Sequence, residues 1–189
     1  MTILEKDKTY LFSQFCEFLQ PPEEILAELG YGLRIDYLTL PTQEATFPRV
    51  DELRSSLGKR IQLTPLTTEQ ARREALVSPI LFAVVEHLDL RLLIEYPITG
   101  KRSKGTLDYL IRGRNDLLVI EAKRDDLTRG FTQLAVEMSE LGNCYGALTT
   151  GTIWQFAKLE SNTIYQDLNS YRVPKDIGEL IAVLLGILT

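Results

Sequence analysis

From Gln70 onward, the spacing of hydrophobic and polar positions switches repeatedly between helical and strand-like periods, and these switches predict the secondary structure. The predicted elements are a helix over 70–88, strands over 91–98, 105–112 and 116–123, a helix over 127–141, strands over 145–150, 152–159 and 163–168, and a very apolar helix over 177–188. Ser78-Pro79 either kinks the first helix or restarts it with Ser78 as N-cap, and Thr67 with Gln70 is a candidate capping box. This order predicts a mixed α/β domain.

The first 66 residues have a less regular pattern. A short helix is expected from Pro21 to Leu29, a strand from Leu33 to Leu40, and a loop over 41–49 followed by a helical piece over 50–57. We therefore expect a single domain over 1–189, made of an N-terminal α/β extension (1–66), a core (67–170) and a C-terminal helix (171–189).

Composition removes several classes of function. The 189 residues contain no apolar run long enough to cross a membrane, and the segment from Met1 to Asp7 mixes both charges and lacks a signal core. We therefore expect a cytoplasmic protein without membrane contact. Two cysteines and one histidine offer no zinc spacing, and the absence of a glycine-lysine phosphate loop argues against a nucleotide cofactor.

The predicted strand over 116–123 ends in two opposite charges. Both of its faces are apolar until Glu121, as expected for a buried central strand, and Lys123 follows two positions later on the same face. Burying two charges costs free energy unless they are paired or bind a metal ion. A structural salt bridge at the strand end is the alternative interpretation of this pair.

The preceding strand adds a second carboxylate. If 113–115 is a hairpin turn, Asp108 lies almost opposite Glu121 on the neighbouring antiparallel strand. Two converging carboxylates suit Mg²⁺ or Mn²⁺, and a lysine beside such an ion can orient an attacking water and balance charge on a phosphate.

Asp108, followed after twelve residues by Glu121-Ala122-Lys123, resembles the motif of the PD-(D/E)XK nuclease superfamily. The pattern is most similar to the nuclease domain of type I restriction enzyme motor subunits, and the resemblance covers about residues 67–160. It implies a restriction-endonuclease-like core of helix, three-stranded meander, helix and strand. The proline of the family name is replaced by Leu107, a departure that is common in the superfamily.

The resemblance also implies roles for individual residues. Asp108 and Glu121 would bind Mg²⁺ or Mn²⁺ together with the backbone carbonyl of Ala122, and Lys123 would be the catalytic lysine. Two further positions match residues that complete the site in parts of the superfamily, namely Glu74 and Gln133. From the pattern alone, Glu74 could equally be a solvated helix acid, and Gln133 a core or surface amide.

Charge is unevenly distributed along the chain. The net charge is −5, but residues 101–130 carry a net +3 and the remainder −8. Basic side chains that could contact DNA phosphates are Lys101, Arg102, Lys104, Arg112, Arg114 and Arg124, although they could also be ordinary solubilising charges of a hairpin.

The sequence thus predicts a metal-dependent nuclease that hydrolyses DNA phosphodiester bonds. A nuclease-like fold kept as a non-catalytic nucleic-acid-binding module or regulatory subunit is the alternative, which the negative net charge favours slightly. A homodimer is expected because two cuts in a duplex need two sites, and because the last helix is too apolar to face solvent.

Overall fold

The computed structural model describes residues 2–43 and 47–189, so Met1 and part of the expected loop, residues 44–46, lie outside the described residues. The helices are α1 (Pro22–Glu28), α2 (Val50–Leu63), α3 (Glu69–Arg72), α4 (Ser78–Leu88), α5 (Leu127–Leu141) and α6 (Ile177–Leu188). The strands are β1 (Tyr10–Leu11), β2 (Gly32–Asp36), β3 (Leu92–Thr99), β4 (Ser103–Arg112), β5 (Leu117–Ala122), β6 (Cys144–Thr149), β7 (Ile153–Glu160) and β8 (Thr163–Arg172). The mixed α/β class predicted from the sequence is confirmed.

The eight strands formed by residues 2–43 and 47–189 belong to one mixed sheet. Its order is β1-β4-β5-β6-β7-β8-β2, and β3 pairs with β4. Strands β3, β4 and β5 form an antiparallel meander, whereas β6 runs parallel to β5 because α5 makes the crossover between them. From α4 to β6 the chain therefore runs helix, three-stranded meander, helix, strand, in the predicted order.

The sheet separates two hydrophobic cores, and β5 contributes to both. Leu118 and Ile120 project into the core that contains α2, α4 and α6, whereas Val119 projects into the core that contains α1 and α5. The alternation follows from the two-residue period of a strand, and it explains why β5 reads as apolar on both faces. Because β5 lies in the middle of the sheet, its neighbours on both sides hold the end of the strand in place. The charged residues Glu121 and Lys123 lie at this end.

Helix α6 has the bounds that the sequence predicted, and its apolar side chains are buried in the first core of the same chain. A partner is not needed to cover it. The apolarity of this helix therefore gives no support to a homodimer, which stays a prediction.

The described part of the first 66 residues contributes to the same sheet and cores. Strand β1 pairs with β4, and β2 pairs with β8. A 3-10 helix over Phe12–Cys16, which the sequence analysis missed, buries Phe12 and Phe15 beneath α5. The expected strand over 33–40 is shorter, ending at Asp36, and the expected helical piece over 50–57 continues to Leu63 as α2.

The helical segment before the meander is continuous but irregular. Between α3 and α4 the chain makes a π-helical turn over Arg73–Val77. Ser78 has helical backbone angles, so the helix does not restart with Ser78 as its N-cap. The cap belongs to Thr68, whose side chain accepts a hydrogen bond from the Ala71 amide, and not to Thr67.

In the part of the chain that the structure describes, no helix is long and apolar enough to cross a membrane.

Candidate active site at the end of β5

Asp108 and Glu121 lie side by side on neighbouring strands. Strands β4 and β5 pair through Tyr109 and Ile120, and the same register one step further places Asp108 opposite Glu121. Side chains at opposed positions of an antiparallel pair share one face. The Ala122 amide donates a 2.9 Å hydrogen bond to Oδ2 of Asp108, which ties this carboxylate to the end of β5. The near-opposite placement expected from the hairpin is therefore confirmed.

Glu121 is buried, with 2% of its surface exposed. Its Oε1 accepts hydrogen bonds from Lys123 Nζ at 2.5 Å and from Gln133 Nε2 at 2.6 Å. Its Oε2 is equally buried and has no hydrogen-bond partner among the described residues. One carboxylate oxygen is thus left to accept a ligand that the protein itself does not supply.

Burial dominates the ionisation of this carboxyl group. Burial and the negative charge of Asp108 raise the pKa of Glu121 from its ordinary 4.5 to about 8, against the opposing attraction of Lys123. For Lys123, burial alone would lower the pKa, but the adjacent Glu121 outweighs burial and raises it, so the ammonium group stays charged. A fixed positive charge therefore lies beside Glu121.

Gln133 organises this site from helix α5. Its Nε2 donates to Oε1 of Glu121 and to Oε1 of Glu137, the latter at 2.8 Å. Its Oε1 accepts from Lys123 Nζ at 3.0 Å and from the Cys16 thiol at 3.1 Å. Of the two interpretations that the sequence left open, the structure places Gln133 against the site.

Glu137 is a carboxyl group that sequence reasoning missed. It is fully buried one helical turn after Gln133, and burial, followed by the charge of Glu121, raises its pKa well above the ordinary value. A charged residue on the apolar face of a helix, four positions from a site amide, is the signal that could have found it.

Helix α5 reaches Lys123 because residue 130 is glycine. A Cβ added at Gly130 would lie 2.7 Å from Cγ of Lys123, closer than real Cβ contacts allow. The close approach of helix and strand holds the lysine side chain against Glu121.

Asp108 has a cationic partner that the sequence analysis did not single out. Arg73 Nη1 lies 3.0 Å from Oδ1 of Asp108 and 3.7 Å from Oε1 of Glu95 on β3. Burial raises the pKa of Asp108, opposed by the Ala122 amide and by Arg73. The acidic residues at this end of the meander therefore come from three consecutive strands.

Glu74 is not at the site. It is exposed and accepts a hydrogen bond from Gln70, because the π-helical turn breaks the continuous helical phase that would have turned it inward. Glu69, and not Glu74, is the acidic residue of this helical segment that lies near the site. It is half-buried, its pKa is raised by burial, and the charges of Lys123 and Asp108 act on it.

An open cleft of about 430 Å³ leads to Lys123. It is lined by Thr67, Thr68, Glu69, Lys123, Arg124, Asp125 and Asp126. The lysine is thus accessible from outside at the point where the carboxylate pair is buried.

The basic residues predicted to contact DNA do not form one surface. Arg112 pairs with Leu117 at the start of β5, and Arg114 lies against the end of α6. Four residues of strand, roughly 13 Å, separate this turn from Glu121. The predicted patch is therefore divided.

The remaining predicted contacts have different surroundings. Arg102 faces the N-terminal segment beside Leu4 and Glu28. Lys101 and Lys104 are exposed at the β3–β4 turn. Arg124 alone lines the cleft, and it is paired with Asp125.

Asp108 and Glu121 are the side chains that would hold a metal ion at the end of β5. No group of three or more His, Cys, Asp or Glu side chains is arranged as a metal cage within residues 2–43 and 47–189. The pair of carboxyl groups nevertheless suits a hard divalent ion, because the two groups lie side by side and Oε2 of Glu121 is buried without a partner among the described residues. Mg²⁺ commonly binds through one or two carboxylates and keeps several waters. The residues present thus fit such an ion.

Comparison with known proteins gives one distant similarity. The chain is 27% identical over 126 residues to Crinkler effector protein 5 of Phytophthora infestans, a match that covers 61% of this chain. The match spans only about a third of that protein, 36% of its length. No family model matches the chain. No solved structure matches it either.

Proposed function

We propose that this chain is a metal-dependent nuclease that hydrolyses DNA phosphodiester bonds, built on a restriction-endonuclease-like core of the PD-(D/E)XK type. One observation carries the proposal: Asp108 and Glu121 are opposed at the end of a buried strand, and Lys123 joins Glu121 to the floor of an open cleft. The likeness to a Crinkler effector names no reaction, so the proposal rests on the site.

Asp108, Glu121 and the carbonyl of Ala122 would hold Mg²⁺ or Mn²⁺. When bound, such an ion supplies Lewis-acid stabilisation of the phosphate and lowers the pKa of a bound water. Around it, Glu69 is placed to accept a hydrogen bond from a water in the cleft.

Lys123 is the group assigned to the transition state. Its ammonium is held by Glu121 and Gln133, and the remaining N–H can donate to an attacking water or to a phosphate oxygen. A fixed positive charge stabilises the extra negative charge that develops when water adds to phosphorus. Gln133 keeps both the lysine and the carboxylate in place and is therefore a positioning residue.

DNA would approach through the cleft at Lys123, with Arg124 at its mouth. The separated Arg112–Arg114 turn would contact phosphates only on a substrate that extends along the sheet. These contacts contribute affinity without sequence preference.

A second candidate is a nuclease-like module that binds nucleic acid without cleaving it. Two observations favour it. Asp108 already has a guanidinium partner in Arg73, and the predicted basic surface is divided. Under this alternative the carboxylates and Lys123 would serve stability alone.

Calorimetric titration with Mn²⁺ and a cleavage assay together decide between the two. We expect wild type to bind Mn²⁺ and to cut at least one of duplex, single-stranded or branched DNA. Asp108→Asn and Glu121→Gln, which keep the shape of the site, should lose both metal binding and cleavage. Binding of DNA without cleavage, and without metal binding, would make the non-catalytic module the better description.

A further inference from the structure

We propose that Arg73 is an internal counter-cation that competes with the divalent metal ion for Asp108, and that metal loading transfers Arg73 from Asp108 to Glu95. The inference rests on the proposed metal-dependent function. It identifies Arg73 as the residue that sets the affinity of the site for metal.

Arg73 is held firmly in the position that a metal ion would contest. Its guanidinium contacts Oδ1 of Asp108 at 3.0 Å, and the two side chains are only 18% and 14% exposed. The guanidinium also lies over the ring of Tyr109, 5.1 Å from the centroid, and its Nε donates to the Tyr109 hydroxyl at 3.5 Å. An ion pair sheltered from water is stronger than one on the surface. In the metal-free protein Arg73 thus supplies positive charge at Asp108.

Asp108 cannot serve both cations equally. Its Oδ2 accepts the Ala122 amide and its Oδ1 faces Arg73, so a metal ion bridging Asp108 and Glu121 must share or displace one of these partners. Two cations at contact distance in a half-buried site repel each other strongly. Displacing the arginine costs less free energy than breaking the hydrogen bond between the Ala122 amide and Asp108 if the guanidinium has another acceptor within reach.

Glu95 is that acceptor. Its Oε1 lies 3.7 Å from the same Nη1 atom, and its side chain is 69% exposed. It lies on β3 between Ile94 and Tyr96, which pair with Tyr109 and Leu107 of β4, so it occupies the position next to Asp108. Its backbone φ of +51° departs from strand geometry at this point. The same Nη1 atom thus lies within reach of both carboxylates, 3.0 Å from Asp108 and 3.7 Å from Glu95.

Titration with Mn²⁺ alone tests the inference. Arg73→Met removes the charge and keeps much of the side-chain length. It should bind Mn²⁺ tenfold or more tightly than wild type, whereas Arg129→Met, which removes an exposed charge that pairs with Asp126 and not with Asp108, should change the affinity less than threefold. Without metal, Arg73→Met should melt at a lower temperature than wild type, and Mn²⁺ should raise its melting temperature by more than it raises that of wild type.

The possible outcomes separate this inference from the proposed function. If wild type binds Mn²⁺ and Arg73→Met binds it no more tightly, the inference is wrong and the metal site stands. If neither protein binds Mn²⁺, the proposed function fails and the inference fails with it. Tight binding by Arg73→Met alone would support the competition directly.

A second variant keeps the proposal testable if Arg73→Met does not fold. Glu95→Gln removes the negative charge that would attract the displaced guanidinium, so Mn²⁺ affinity should fall about fivefold or more. Asp125→Asn, an exposed acid at the cleft mouth that does not touch Arg73, is the matched control and should have a smaller effect. If both variants lose Mn²⁺ affinity equally, Glu95 acts only through its general negative charge. The transfer of Arg73 from Asp108 to Glu95 would then be wrong.

Discussion

The side-chain amide of Gln133 on α5 bridges the two charges at the end of β5: it donates to Oε1 of Glu121 at 2.6 Å and accepts from Lys123 at 3.0 Å. This single group connects the helix to both ends of the E-x-K motif. It also satisfies one oxygen of Glu137, so that the ionisable groups on both elements share one neutral partner.

Gln133→Leu should destabilise the protein. The substitution leaves Glu121, Glu137 and Lys123 each short of one buried hydrogen bond, and the expected loss is roughly 1–3 kcal/mol of unfolding free energy. Urea denaturation measures it. Gln62→Leu, an exposed glutamine on α2, is the control and should change stability by about 0.5 kcal/mol or less. Equal effects of the two substitutions would contradict a structural role for this amide.

Lys123→Ala should lower DNA cleavage about a hundredfold or more at saturating metal, because it removes a charge assigned to the transition state. Metal affinity should hold or rise, since a positive charge beside the ion is lost. Stability near pH 7 should fall only moderately, because Glu121, whose pKa is raised to about 8, already carries a proton at this pH and is not left as an unpaired buried charge. Lys175→Ala, on the exposed segment before α6, is the control.

Loss of stability in Lys123→Ala without a specific loss of rate would instead identify the Glu121–Lys123 pair as a strand-end salt bridge. Single-turnover kinetics alongside thermal unfolding separates the two.

Glu69→Gln and Glu74→Gln form a matched pair, since both remove one negative charge from the same helical segment. Glu69 lines the cleft beside Lys123, whereas Glu74 is exposed. Mn²⁺ affinity should therefore fall severalfold in Glu69→Gln and change little in Glu74→Gln. Calorimetry checks this, and the reverse order would restore the role that the resemblance implies for Glu74.

The stability of the metal-free protein should decrease as pH rises from about 4.5 to about 8. In this window Glu121 is protonated in the native state, where its pKa is about 8, and ionised in the unfolded state, where its pKa is near 4.5. The native state then binds more protons, so unfolding free energy falls by about 1.4 kcal/mol per pH unit for this group. Chemical denaturation in a chelating buffer at several pH values measures the slope.

Glu121→Gln should reduce that slope by one proton without abolishing it, since burial also raises the pKa of Glu137. An unchanged slope in Glu121→Gln would assign the proton to another group.

The sequence predicted the structure best where the local pattern favours a single conformation. Helix α5 and helix α6 have the predicted bounds, and the hairpin turn placed Asp108 opposite Glu121, because strand register follows from the position of a short turn. The burial of Glu121 could likewise be inferred from the apolar residues that precede it.

Long-range packing explains what the sequence could not predict. Arg73 reaches Asp108 from a helix more than thirty residues away, and no local pattern in either segment indicates the other. The basic residues were grouped because they are neighbours in the chain, yet the two ends of β4 lie far apart in space. Glu74 is the solvated helix acid, one of the two interpretations that the sequence left open, and it lies in a segment that changes its hydrogen bonding.

That change has a geometric consequence. A π-helical turn carries one residue more than an α-helical turn, so the segment before it is rotated by about 100° relative to α4. The orientation of Glu69 toward the cleft therefore depends on the number of residues in this turn and not on the chemistry of their side chains. Loss of one residue between Arg73 and Val77 would restore the regular helix and turn the preceding segment, with Glu69, away from the cleft. A one-codon deletion or insertion is therefore enough to remove or create the acidic side of the cleft that Glu69 forms.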